Sequence, residues 1–365
     1  MKKYIFLTIL LMFQSSHPEQ FVYPVGDFDD GNQLIVLYQK SLEEIELWIV
    51  DSSNQQAAKG LSSFLTPANL RMMPSGKGFS FIDKGYIKIK EFAKRSPKTL
   101  SIYEPIGLFS SMNWIDEELF YFVAREGDFF QIFQGDLEAN VQRLTHEPAD
   151  ALYPQKIGAT LFYMKRDMNN KISIISKPWN PKSMIESHDE PCELIQESYQ
   201  QLCFLRMIST KEGFYLQAPT RKTKNDCYEF SCHHIKQNNE NEWKTQNLFS
   251  FKIPSKYLSG SSRLYESLEP FLPNYTSKDH VYFVNWEDEL DQFELYNLNI
   301  EENNIQKASD SFLCRSKKQN IFSPYISESK IYCGFILKNE RLFGQNIFET
   351  INDDHLELPY FEGKK

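Results

Sequence analysis

A strand–turn–strand unit recurs seven times along the chain and constrains its fold more than any other feature. The clearest copy lies between Glu118 and Pro154. There the apolar segment Leu119–Val123 runs into the polar turn Ala124-Arg125-Glu126-Gly127-Asp128, and a second segment, Phe129–Phe133, reaches Gly135-Asp136. Val141–Leu144 gives a third segment, Thr145-His146-Glu147-Pro148 a loop, and Ala151–Tyr153 before Pro154 opens the next unit. Gly-Asp turns tolerate the positive φ that tight hairpins need, so this pattern predicts short strands joined by turns. The same pairing recurs at Leu34–Tyr38 with Ile45–Val50, Phe79–Ile82 with Tyr86–Ile89, and Leu161–Met164 with Ile172–Ile175. It returns at Phe214–Leu216 with Tyr228–Phe230, Val281–Val284 with Phe293–Leu298, and Ile331–Leu337 with Phe343–Phe348. Short segments ending in Pro precede most pairs: Phe21–Pro24, Leu70–Pro74, Leu152–Pro154, Phe271–Pro273 and Phe322–Pro324, with degenerate equivalents at Phe109–Trp114 and Leu202–Arg206.

Three strands with turns in about 40 residues is the spacing of one blade of a β-propeller. The expected fold is therefore all-β, a β-propeller of seven four-stranded blades, or six if the unit at Phe214 is a distorted insertion. A β-sandwich is the competing reading, but sandwiches rarely repeat one sub-pattern so often. A blade cannot bury its faces alone, so blades stack, and a Pro entering the first strand sits where a ladder donor is dispensable. Ring closure falls either to His355–Tyr360 or to Phe21–Val25, between which the pattern does not choose. Composition agrees: 29 Phe and 19 Tyr lift aromatics to 15%, and aromatics favour pleated, half-buried surfaces.

Lys2 and Lys3 precede the apolar run Tyr4–Phe13, followed by Gln14-Ser15-Ser16. A basic start, a short apolar core and small residues predict a signal peptide over residues 1–16, with one propeller domain over 17–365. The run is too short to span a bilayer as a mature helix, so no stable membrane span is expected after export, and the location is periplasmic or secreted. Export permits disulfides. Of six cysteines, all in the second half, Cys192–Cys203 is the most plausible local pair, with buried thiols acting as small hydrophobes the equal alternative, while Cys227 and Cys232 point to opposite faces of a regular strand. The net charge of −9 lacks the basic excess of a nucleic-acid binder, so no nucleic-acid partner is expected.

The unit from Leu119 to Pro154 resembles the repeat of TolB-like propellers, the WD40-like PD40 repeat. The matching residues are Leu119–Val123, Gly127-Asp128, Ile132-Phe133, Asp136, Arg143-Leu144-Thr145 and Tyr153-Pro154, echoed by Ser323-Pro324 and Pro74-Ser75-Gly76-Lys77. As motif the likeness covers one unit, and as architecture most of the chain. It implies a periplasmic scaffold that binds a protein partner rather than an enzyme. One departure is that strands begin without an α/β domain before the first repeat, which sets the chain apart from members of the Tol assembly itself.

Catalytic signatures are missing: there is no phosphate loop, no G-x-G-x-x-G, no H-E-x-x-H and no G-x-S-x-G. No cofactor is expected. Cys227, Cys232, His233 and His234 resemble a metal cluster, but consecutive His on a strand point opposite ways. His146 and His280 sit at strand borders, where a channel-mouth metal lyase or glycan hydrolase would draw its ligands. The acids Asp116-Glu117-Glu118 and Glu287-Asp288-Glu289 read as solvated turns. Trp179, Trp243 and Trp286 suggest carbohydrate binding as a further alternative. Loops between the two central strands (125–128, 166–170, 220–226, 287–291, 338–341) and between blades (145–150) share one rim, and binding usually resides on such loops. The expected partner-binding residues are Arg125, Asp128, His146, Arg166 and Asp167, on a chain expected to be a monomer.

Overall fold

The computed structural model describes residues 20–28, 33–39, 44–51, 57–65, 68–83, 86–94, 96–103, 112–169, 172–178, 190–193, 201–218, 221–240, 242–258, 271–275, 280–308, 320–327, 330–337 and 360–362. The expected signal peptide, Trp179, and the segments 338–341, 343–348 and 355–359 lie outside them, as do the side chains of Cys192 and Cys203.

Among these residues the structure is strand after strand, with one short 3₁₀ turn at Ser255–Tyr257. In chain order, β1 (Gln20–Phe28), β2 (Gln33–Gln39), β3 (Glu44–Asp51) and β4 (Ala57–Leu65) form an antiparallel meander in sheet A. Sheet B holds β5 (Ala68–Met72), β6 (Gly78–Asp83), β7 (Tyr86–Glu91) and β8 (Lys98–Tyr103). Sheet C holds β9 (Asn113–Trp114), β10 (Leu119–Glu126), β11 (Phe129–Asp136) and β12 (Val141–Arg143). Sheet D follows with β13 (Asp150–Ile157), β14 (Thr160–Arg166), β15 (Ile172–Pro178) and β16 (Glu190–Glu193). Sheet E has β17 (Gln201–Ser209), β18 (Glu212–Ala218), β19 (Cys227–Gln237) and β20 (Trp243–Pro254), and sheet F has β21 (Asn274–Tyr275), β22 (His280–Glu287), β23 (Gln292–Asn299) and β24 (Asn304–Lys307). The last strands, β25 (Asn320–Ser327), β26 (Lys330–Leu337) and β27 (Tyr360–Glu362), rejoin sheet A and make it seven-stranded.

Contacts divide the chain into two compact units, Pro67–Asp310 and a second made of Met1–Thr66 with Ser311–Lys365. In the second unit the first and last described strands share one partner. Gln20–Val22 of β1 and Tyr360–Glu362 of β27 pair along β26, at opposite ends of it. Of the closure candidates, Phe21–Val25 therefore engages the last repeat through Phe21 and Val22, while His355–Tyr360 is described only at Tyr360, which pairs with Tyr332.

In the larger unit the second strand of each sheet shows why the units stack. Phe120–Ala124, Leu161–Met164 and Val281–Val284 are buried without a break, where a sheet with one wet face would alternate. Tyr121 and Val123 of sheet C join the core of sheet D around Leu161, Tyr163 and Ile174, and that core continues to Leu205, Met207 and Tyr215 of sheet E. Phe120, Phe122 and Ala124, on the other face of β10, pack with Ile87, Ile89, Leu100 and Ile102 of sheet B. Phe249 of sheet E stacks on Phe283 of sheet F with ring centroids 3.8 Å apart. Successive four-stranded antiparallel sheets, each covered on both faces, are the blades of a β-propeller.

The Pro positions explain themselves in the first strands. In β13 the ladder jumps from Leu152 to Gln155, so Tyr153 and Pro154 form a bulge, with Tyr153 at φ 53°. In β1 the shift follows Pro24, which stays opposite Val36, and in β25 a similar shift brackets Pro324. A residue without an N–H is tolerated at Pro154 and Pro324 because the bulge has already withdrawn it from the ladder. The expected first strand at Phe271–Pro273 lies slightly later, at Asn274–Tyr275.

Candidate binding surface at the turn ends of the sheets

An antiparallel meander places the turn between its second and third strands at the end where its first strand begins. In sheets C and D this brings together the β10–β11 turn at Gly127-Asp128, the connector 144–149, and the turn that follows Arg166. Sheets E and F repeat the arrangement with the segment before Cys227 and the turn at 288–291.

The connector between sheets C and D is held by a buried polar network. Thr145 and Gln131 are each 1% exposed. The Ile132 amide donates to Thr145 Oγ1 at 2.9 Å, and Thr145 Oγ1 donates to Gln131 Oε1 at 2.9 Å. Gln131 Nε2 donates to the carbonyls of Glu147 (2.9 Å) and Ala149 (3.0 Å), while the Glu147 amide donates back to Gln131 Oε1 at 3.2 Å. A fully connected network of this kind fixes one geometry, because any missing member strands a buried polar group. The Arg-Leu-Thr signature thus has a mechanical meaning. Thr145 takes over the ladder position, Arg143 Nε donates to the Thr145 carbonyl at 2.5 Å, and the Arg143 guanidinium pairs with Glu126 at 2.6 Å.

Ion pairs brace the same end. Asp150, at the start of β13, accepts the Phe130 amide of sheet C at 2.9 Å and the Arg166 guanidinium at 2.6 and 3.1 Å. One carboxylate therefore joins two sheets. Lys165 pairs with Glu147 at 2.7 Å, and the buried Tyr163 hydroxyl donates to that carboxylate at 2.8 Å.

Of the residues expected to bind a partner, Arg125, Asp128 and His146 are exposed at this end. Arg125 Nε donates only to the Gly127 carbonyl, at 3.2 Å. Arg166 and Asp167 stand differently. Arg166 is committed to Asp150, and Asp167 accepts the Asn169 amide at 2.8 Å, shaping the turn. Beside them Met168 is 81% exposed at the turn tip, an apolar contact that sequence reading passed over. Gln131 and Asp150, which rigidify the surface, were also missed. A Gln inside the run Phe129–Phe133 was the available signal.

The other candidates are dispersed. His146 lies at the turn end of its sheet, whereas His280 begins β22, at the end of sheet F away from its 288–291 turn, and bonds Asn297 Oδ1 at 3.1 Å. Cys227 and Cys232 are buried thiols. His233 stacks on Tyr215 at 4.8 Å and bonds Gln217 Oε1, and its burial lowers its pKa. Among the described residues no three His, Cys, Asp or Glu side chains gather as metal ligands. Asp116 accepts the amides of Glu118 and Leu119 in its own turn, whereas Glu287 accepts from Asn285 and the Tyr296 hydroxyl and Asp288 pairs with Lys252 of sheet E at 3.3 Å. Trp286 is 5% exposed, and Trp243 packs edge-on against Phe162. Trp286 therefore presents no open ring face for a sugar to stack on. No described helix is long and apolar enough to cross a membrane.

The fold defines a β-propeller, and comparison with known proteins agrees at the level of fold. No family model matches the chain, and no curated protein is similar to it in sequence. Among solved structures it is similar to a puromycin-hydrolyzing peptidase of Mycobacterium tuberculosis, with 7% identity and a TM-score of 0.56 over 86% of this chain and 48% of that one. It is also similar to a putative TolB from Agrobacterium tumefaciens (13% identity, TM-score 0.41, 64% of this chain and 88% of that one). A third is the Cps50 (Swd1) β-propeller domain of Myceliophteria thermophila (10% identity, TM-score 0.49, 90% and 98%). The chain spans about half the length of the peptidase. One fold hosts many functions, so the likeness to the peptidase speaks to architecture alone.

Proposed function

We propose that this chain is an exported, non-enzymatic propeller that captures a protein partner at the turn ends of sheets C and D. Arg125, Asp128 and His146 face the partner, with Arg166 and Asp167 holding the turns beside them. The observation that carries this reading is the contrast at that end. Three exposed polar side chains, Arg125 and Asp128 at the β10–β11 turn and His146 on the connector locked by the Gln131–Thr145 network, stand among neighbours whose charges are already paired. A preorganised platform loses little freedom on binding, and adaptable groups on a rigid scaffold are how loops recognise partners. Export rests on Lys2-Lys3 and the run Tyr4–Phe13.

The test compares capture of envelope proteins by the unaltered chain and by the triple variant Arg125→Glu, Asp128→Arg, His146→Glu. Loss of one specific captured protein, with an unchanged far-ultraviolet circular dichroism spectrum, is expected. Equal capture by both chains would overturn the assignment of this surface.

A further inference from the structure

A different position, on the first strands rather than the turns, carries an unmatched charge. Arg206 lies on β17 of sheet E and is half-buried. A guanidinium offers five N–H donors. Among the described residues Arg206 places one, from Nη1 to Asn274 Oδ1 of β21 in the next sheet, at 3.4 Å. No described carboxylate offsets its charge, and burial alone acts on it, pulling its pKa below the usual value. The side chain keeps some contact with solvent.

The arrangement is built twice. In sheets B and C, Arg71 Nε of β5 donates to Asn113 Oδ1 of β9 at 3.2 Å. In each case the asparagine lies opposite a tyrosine of its own second strand, Asn113 with Tyr121 and Asn274 with Tyr282. Both tyrosines are buried, and burial raises their pKa, Tyr121 to about 12, so they stay neutral hydroxyls. Arg71 also donates from Nη1 to the Leu70 carbonyl at 2.9 Å, so the likeness extends only to the Arg–Asn contact. For Arg206, a cation beside a neutral amide with no described acid to complete it is expensive to keep unless a ligand supplies the negative charge. Its planar fork matches a two-oxygen acceptor.

We propose that Arg206, with Asn274 beside it, is an oxyanion-binding position that takes a carboxylate or phosphate group. The position is independent of the turn-end surface, so either assignment can fail without the other.

The experiment measures thermal unfolding of the full chain against phosphate, acetate and chloride at matched ionic strength, for the unaltered protein, R206M and R206K. Phosphate or acetate, whichever is the source, should raise the midpoint of the unaltered protein saturably, by about 5 °C at a hundredfold excess over the dissociation constant. R206M should lose the saturable part and keep only the general stabilisation that excluded salts give any protein. R206K keeps the charge, and therefore the fold, but not the fork, and should bind roughly tenfold more weakly. A response of equal size in R206M or R206K and the unaltered protein would mean an adventitious ion only. That result, or the lack of any saturable response in the unaltered protein, would overturn the proposal.

Discussion

Thr145→Val removes one oxygen and keeps the shape of the side chain, which makes it the cleanest probe of the connector between sheets C and D. The hydroxyl it deletes accepts the Ile132 amide and donates to Gln131 Oε1, both at 2.9 Å. Ile132 is 0% exposed, so its amide would be left buried without an acceptor. Gln131 Oε1 suffers less, because it still receives the Glu147 amide at 3.2 Å. A stranded buried donor costs about 1–3 kcal/mol, so the expected destabilisation is about 2 kcal/mol. Gln131→Leu strips partners from the carbonyls of Glu147 and Ala149 and from Thr145, and should cost about 3 kcal/mol. Since the two side chains act as one unit, the double variant should fall short of the sum by about 1 kcal/mol. Urea unfolding followed by tryptophan fluorescence gives the energies, and hydrogen exchange of the Ile132 amide reports the site directly. A Thr145→Val change within about 0.5 kcal/mol of zero, with Ile132 protection unaltered, would refute the network's role.

Other outcomes follow from the same geometry. Asp150→Ala frees both the Phe130 amide and Arg166, and should destabilise by about 2–3 kcal/mol in urea unfolding, whereas Arg166→Met should cost about 1 kcal/mol or less; equal effects would contradict the bridging role of Asp150. Gly127→Ala meets open space but a φ of 64°, and should cost about 1 kcal/mol from backbone strain alone. Gly135→Ala would bring a Cβ to 2.7 Å from the Phe120 ring and 3.2 Å from Ile102, and should cost about 1–3 kcal/mol through overpacking; calorimetry showing the reverse order would contradict the B–C packing. Asp136 is held below its ordinary pKa, chiefly by the Asn140 side-chain amide. A depressed acid lends stability above its unfolded pKa and loses it as pH falls through the folded value, so the 136–140 turn should loosen only below the ordinary carboxylate range. An NMR titration placing Asp136 at its ordinary value would contradict this.

The second strands were the most legible part of the chain. Leu161–Met164 or Val281–Val284 reads as an unbroken apolar run because both faces of each sheet are covered, and the turns between strands carried Gly and Asp. Pro154 was legible for a related reason, since a residue without an amide marks where the ladder is already broken. The fourth strands were harder to see. β24 is exposed along its whole length, and an outer strand with one wet face carries a weak apolar signal. For the candidate surface, the turns were legible but sequence could not separate Arg125 from Arg166. Whether an arginine is exposed or held by Asp150, sixteen positions earlier, depends on strand register. Arg206 gave no local sign at all, because what distinguishes it is an absence in space. Gln131 was visible only as a polar letter among aromatics, and its meaning required the loop that folds onto it.

The most direct test of the docking end uses site-specific crosslinking. A photoreactive phenylalanine analogue replaces exposed Asp128, at the turn end of sheet C, or exposed Ala159, in the β13–β14 turn at the opposite end of sheet D. After irradiation in envelope extracts, the probe at 128 should give one discrete protein adduct and the probe at 159 none. An adduct at 159 alone, or the same adducts at both positions, would contradict capture through the turn ends.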